Sequence, residues 1–200
     1  MASVIISIDE SKYQIEGYVP SRAEEFHVRS ARIADKRFKE SLKNETSKKV
    51  VLMSGGSASG KTEFVSEYLK NFDGIVFDRT LSSIEGARVK IRNTRRKNKV
   101  PVIYAIWPDD IKRAFIAFLH RDRKFSDEHF YRTHSGSRST LLWIASEYPD
   151  IEIVLHESSF NRKNGLVFKR LKFSSNKERF EYIGHHQYSE EDLLEMIKTL

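Results

Sequence analysis

The chain contains no cysteine, so disulfides, thiolate metal sites and cysteine nucleophiles are excluded and the fold must rest on packing. No stretch approaches the roughly 18 to 20 consecutive apolar residues needed to cross a bilayer. The N-terminus, where Asp9 and Glu10 follow soon after Ile5 and Ile6, lacks the basic-then-apolar layout of a secretory leader. Internal repeats and low-complexity tracts are also missing. A cytoplasmic protein with no membrane association is the expectation.

What remains is a basic chain of 200 residues, 39% hydrophobic, with a formal charge of +7. That length can bury one sizeable core, so a single domain over 1–200 is expected. The charge attracts anionic partners, whether nucleotides, phosphorylated sugars, nucleic acid or an acidic protein, and does not choose among them.

Apolar runs punctuated by helical patterns predict an α/β fold with a parallel sheet flanked by helices. Residues 1–49 read as an N-terminal helical extension, in which Ser21 and Glu24 form a capping-box pattern ahead of Phe26, Ile33, Phe38 and Leu42. The run Val50–Met53 has the continuous apolar character of a parallel strand covered on both faces. A helix is expected over Thr62–Lys70 and a strand over Ile75–Asp78. Next come a helix at about Ser83–Asn98, a strand at Val100–Ile106, and a helix opened by Pro108 and Asp109 that runs to His120. A polar segment over Arg121–Ser137 interrupts the alternation before a helix at Ser139–Glu147 and a strand at Ile151–Leu155, which closes a core of 50–160. In 161–200, Asn164-Gly165 suits a hairpin turn, Leu166–Phe173 an edge segment and Ser189–Leu200 a capped terminal helix.

Between the first core strand and its helix lies Gly55-Gly56-Ser57-Ala58-Ser59-Gly60-Lys61-Thr62, a full match to G-x-x-x-x-G-K-[ST]. Small residues there let backbone N–H groups curl around phosphates. Lys61 would bridge the terminal phosphates, Thr62 would offer its hydroxyl to Mg²⁺, and the helix start would add partial positive charge. The bland alternative is a glycine-rich turn with an exposed lysine. Such a loop needs a carboxylate to hold the metal's water shell and, in a kinase, to accept the proton of the attacking hydroxyl. Asp78, at the end of the next strand, is the candidate for both; it could instead cap the following turn. Asp73 precedes the strand.

The chain has no N-K-x-D, no D-x-x-G after the second strand and no Leu-Ser-Gly-Gly, which speaks against GTPases and transporter ATPases. Its second half carries Arg121, Arg123, Lys124, Arg132 and Arg138, the composition of an arginine-bearing lid over about 121–137 that would neutralise a migrating phosphoryl group. A solvated basic loop is the alternative. Seven basic residues between Arg88 and Lys99 read as a solvated helix face, with Ile84, Ala87 and Ile91 toward the sheet. Without interleaved aromatics, that face argues little for single-stranded nucleic acid. The spacings of His129 with His134 and of His185 with His186 do not match a metal site, and exposed or substrate-contacting histidines are expected, with His134 near the lid. Trp107 and Trp143 are assigned to packing.

His27 with Ser30–Asp35, then Val51–Thr62, Phe77-Asp78-Arg79-Thr80-Leu81 and the Arg121–His134 segment together resemble the zeta-toxin family of P-loop kinases. The likeness spans about Phe26–Phe160. It implies ATP-dependent phosphorylation of the 3′-hydroxyl of the amino sugar in UDP-N-acetylglucosamine, by a toxin held in check by a small antitoxin. Lys61 and Thr62 match the loop, Asp78 the acidic position, and Arg121 and Arg123 the lid arginines. The short span from Lys61 to Asp78 leaves no separate acidic strand where longer members carry one. Arg79 replaces a glycine, and His156-Glu157 stands in place of an Asp-Asn pair. A polynucleotide or RNA 5′-hydroxyl kinase, and a nucleotide-binding regulatory module with little turnover, are the alternatives.

Overall fold

The computed structural model describes residues 3–198. Its centre is a six-stranded sheet in the order β1-β3-β2-β4-β5-β6, formed by Val4–Ser7 (β1), Lys49–Ser54 (β2), Ile75–Asp78 (β3), Val100–Pro108 (β4), Glu152–Asn161 (β5) and Gly165–Arg170 (β6). The first five strands in this order run parallel, and β6 pairs antiparallel with β5. Alternation along β2 divides the core. Val50 and Leu52 join one apolar cluster with Phe38, Phe77 and Ile103, while Val51 and Met53 join another with Phe64, Val65 and Val76. Each fully buried side chain of this size stabilises the fold by about 1.5–3 kcal/mol.

Helices cover both faces: Ile8–Lys12 (α1), His27–Asn44 (α2), Lys61–Phe64 (α3, continued as a π-helical turn over Val65–Leu69), Ile84–Arg95 (α4), Ile111–Leu119 (α5), Asp127–Glu147 (α6), Asn176–His185 (α7) and Glu190–Lys198 (α8). Two of them were not legible in the sequence, α1 and α7. No helix among the described residues is long and apolar enough to cross a membrane.

Several expectations are corrected. Ser21 lies in a 3₁₀ turn over Pro20–Arg22, and α2 begins only at His27 with no side-chain cap. Glu24 instead accepts from the backbone N–H (2.9 Å) and hydroxyl (3.1 Å) of Ser126, tying the N-terminal segment to the start of α6. Pro108 ends β4, and Asp110 is the residue that caps α5. On α4, Ala87 and Ile91 are buried as expected, but Ile84 is exposed. Lys90 turns inward and pairs with Asp35 at 2.8 Å. Three residues, 162–164, connect β5 to β6, with Gly165 at a φ of 71°. The expected terminal helix extends past the described residues.

The largest correction concerns 121–137. Only 121–126 is a connector; from Asp127 onward the chain is the first half of the 21-residue α6. Phe130 is fully buried with Phe115, Phe118, Leu193 and Ile197, and Thr133, His134 and Ser137 are buried on the same helix. Polar residues at these inward positions made a packed helix look like a solvated loop.

Candidate functional site

The loop that follows β2 is shaped by two close approaches. Gly55 has a φ of 138°, and a Cβ there would stand 2.3 Å from the carbonyl oxygen of Ile106 on β4. A Cβ on Gly56 would stand 2.2 Å from the ring of His134. Only glycine lets the backbone pass so near both. Gly55 N–H donates to Thr80 O (3.1 Å), and Ser158 of β5 donates its hydroxyl to Ser59 O (2.9 Å). Ser57 N–H donates to Thr133 Oγ1 (3.1 Å), and His134 Nε2–H donates to Ser57 O (2.8 Å). Ala58, at the crest, adopts a left-handed φ of 58°, an uncommon conformation for a residue with a Cβ. Gly60 is left-handed as well and leads into α3, whose first turn receives no side-chain cap.

Lys61, the first residue of α3, folds its side chain back over the loop. Its ammonium donates to the carbonyls of Gly55 (2.8 Å) and Gly56 (2.6 Å) and approaches Ser59 Oγ at 3.3 Å. Burial lowers its pKa to about 8, partly opposed by the Asp78 charge. A cation held this far from water favours an incoming anion. Next in sequence, Thr62 donates its hydroxyl to Asp78 Oδ2 at 3.2 Å, joining α3 to the C-terminal end of β3. Burial pushes Asp78 up to about 6 against the pull of Lys61. Asp78 thus spans to the loop and does not merely cap its own turn.

These residues line one cavity of about 630 Å³, counting its open mouth. Five cations face it, Lys12, Lys61, Arg79, Arg121 and Arg123, against the carboxylates Asp9 and Asp78. Arg121 is half-buried; burial, then the nearby Arg123, hold it below an arginine's usual pKa. Of the five basic residues read as a lid, only Arg121 and Arg123 reach this cavity. Lys124 donates to Leu119 O, Arg132 approaches His129 at 3.4 Å, and Arg138 is stacked between Trp107 (4.2 Å) and Tyr188 (4.7 Å).

Asp9, Lys12, His27, Phe125 and His129 also line the cavity; of these only His129, expected to be exposed or on substrate, was considered for a contact role from sequence, and it is buried. His129 stacks on Phe125 at 4.2 Å, and His27 meets both rings edge-on at 5.6 and 5.7 Å. Burial lowers both imidazoles to about 4, so they are neutral at physiological pH. His134, expected near a lid and exposed or on substrate, is buried beneath the loop at about 3.

The donor set suits a metal held chiefly by a ligand's phosphates and water: one hydroxyl, Thr62, and one carboxylate, Asp78, in contact at the cavity wall. No group of three or more His, Cys, Asp or Glu side chains able to hold a metal by themselves occurs among the described residues. No protein family and no curated protein matches the chain.

Proposed function

We propose that this chain is a P-loop phosphotransferase that moves the γ-phosphoryl of ATP to a hydroxyl of a small nucleotide sugar, as the likeness to zeta toxins implies. The reading rests above all on Lys61. Its buried ammonium is anchored on the loop's own carbonyls, and the adjacent Thr62 is joined to Asp78 across the strand gap. Loop amides and Lys61 would bind the β- and γ-phosphates. Thr62 and Asp78 would hold Mg²⁺, which would supply neutralisation of phosphate charge when bound. Arg121 and Arg123, reaching the cavity from the 121–126 connector, would neutralise the equatorial oxygens of the migrating group. With its carboxylate engaged by Thr62 and only 7% exposed, Asp78 belongs on the metal side of the reaction.

The basic helix α4 offers less to nucleic acid than its composition implied. Lys90 is buried against Asp35, Arg88 pairs with Glu85 at 2.7 Å and Arg95 with Asp150 at 2.6 Å. A nucleotide-sugar acceptor is therefore preferred to a polynucleotide.

The test incubates the protein with Mg²⁺ and γ-labelled ATP alongside UDP-N-acetylglucosamine or a 5′-hydroxyl oligonucleotide. Label on the sugar nucleotide supports the proposal, and label on the oligonucleotide replaces it. Tight ATP binding with no transfer to either would identify a regulatory module.

A further inference from the structure

Asp9 lines the same cavity as Lys61 and Asp78. In the β1–β3 register Ser7 lies beside Asp78, so the chain leaves the sheet edge at the level of that carboxylate. Ser7 Oγ then accepts from the Asp9 N–H at 3.1 Å and turns the backbone into α1. Two cations fix the Asp9 carboxylate: Lys12 Nζ lies 2.8 Å from Oδ1, and Arg123 lies 2.7 Å from Oδ2. Lys12 is buried and sits 4.6 Å above the Phe125 ring, so this clamp is itself packed in place. Each oxygen of Asp9 keeps a lone pair for a further hydrogen bond. The side chain is 32% exposed, whereas Asp78 is enclosed and engaged by Thr62.

Burial would raise the Asp9 pKa, but Lys12 and Arg123 outweigh it and hold the group below the ordinary carboxylate range. It stays ionised and able to accept. Arg123 links this carboxylate to the arginine-bearing connector, and the stacked Phe125–His129 pair with His27 forms an aromatic wall alongside. The cavity therefore holds, besides Lys61 and Thr62, an oriented carboxylate and an aromatic cluster.

We propose that Asp9 accepts the proton of the attacking hydroxyl, with Lys12 and Arg123 orienting its carboxylate and the His27–Phe125–His129 wall receiving the body of the acceptor. This rests on the phosphotransfer reading above. The acceptor oxygen forms the new bond to the γ-phosphorus, and the bond from that phosphorus to the bridging oxygen breaks. The nucleoside diphosphate leaves with the electron pair. The hydroxyl proton passes to Asp9 and then to water.

The test measures two quantities on wild type, Asp9→Asn, Asp9→Glu and Lys61→Ala. One is calorimetric affinity for a non-hydrolysable ATP analogue with Mg²⁺. The other is transfer from ATP to three probes: UDP-N-acetylglucosamine, a nucleoside 5′-monophosphate and a hexose 6-phosphate. Asp9→Asn is expected to bind the analogue within about threefold of wild type while losing transfer by about a hundredfold or more, and Asp9→Glu to recover part of the loss. Transfer by Asp9→Asn within about threefold of wild type overturns the assignment, as does a loss of analogue binding as complete as that of Lys61→Ala. If wild type binds the analogue and phosphorylates none of the three probes, the Asp9 assignment fails and the loop reading stands. If it does not bind the analogue, both fail.

Discussion

His134 lies directly beneath Gly56: a Cβ on that glycine would stand 2.2 Å from the imidazole, whose Nε2–H donates to the next residue's carbonyl at 2.8 Å. The loop over α3 is thus braced from below by α6, through Thr133 as well as His134. Its shape depends on a helix about eighty residues further along the chain.

Gly56→Ala should therefore act on the loop before it acts on the core. The added methyl must displace a fully buried ring, at about 1–3 kcal/mol for overpacking. Nucleotide affinity is expected to fall at least about tenfold, since the amides would shift with the backbone. Calorimetry with a non-hydrolysable ATP analogue and a thermal melt check the two effects together.

Acid should weaken the protein through the same histidine. The His134 pKa is lowered from 6.5 to about 3 by burial, so the unfolded chain binds the extra proton first and stability falls as pH drops below 6.5. At pH 5 the loss is about 2 kcal/mol. Asp78 runs the other way: its raised pKa removes stability as pH rises through about 6. Urea unfolding at pH 7.5 and 5.0, for wild type and His134→Gln, isolates the histidine contribution. An unchanged pH dependence in the variant would contradict it.

Asp78→Asn should stabilise the empty protein at pH 7.5. Ionising a buried carboxyl whose pKa is about 6 opposes folding, and an amide of similar shape avoids that by an amount on the order of 2 kcal/mol while still accepting from Thr62. The same variant should lose the tightening that Mg²⁺ brings to nucleotide binding. A raised urea midpoint with a Mg²⁺-insensitive Kd is the expected pair of results.

Lys61→Ala should leave the loop folded but unable to hold phosphate. The ammonium donates to Gly55 and Gly56, and its removal frees two carbonyls that water can reach through the cavity. A loss of ATP affinity of about a hundredfold or more is expected in calorimetry. Affinity within a few-fold of wild type would remove the nucleotide-site reading altogether.

The parallel strands were legible because β2, β3 and β4 are largely apolar runs and β5 begins with one at Ile153–Leu155, a pattern set by burial on both faces. The loop was legible because its residue types and spacing are constrained over eight consecutive positions. The first half of α6 was not, since His129, Thr133, His134 and Ser137 are polar yet buried, and Thr133 and His134 take their partner from the distant loop at Ser57. Lys90 misled for the same reason, its counter-charge lying on α2.

By itself the sequence determined the alternating α/β order, the glycine-rich turn at residues 55–62 and the nearness of Asp78 to it, because these follow from local periodicity and short spacing. Only the tertiary structure decided which cations reach the cavity, that α6 braces the loop, and that Asp9 lines that cavity. The physical reason is sheet pairing: β1 has four residues and no local pattern strong enough to announce it, and only its parallel register with β3 carries Asp9 from the N-terminus to the site.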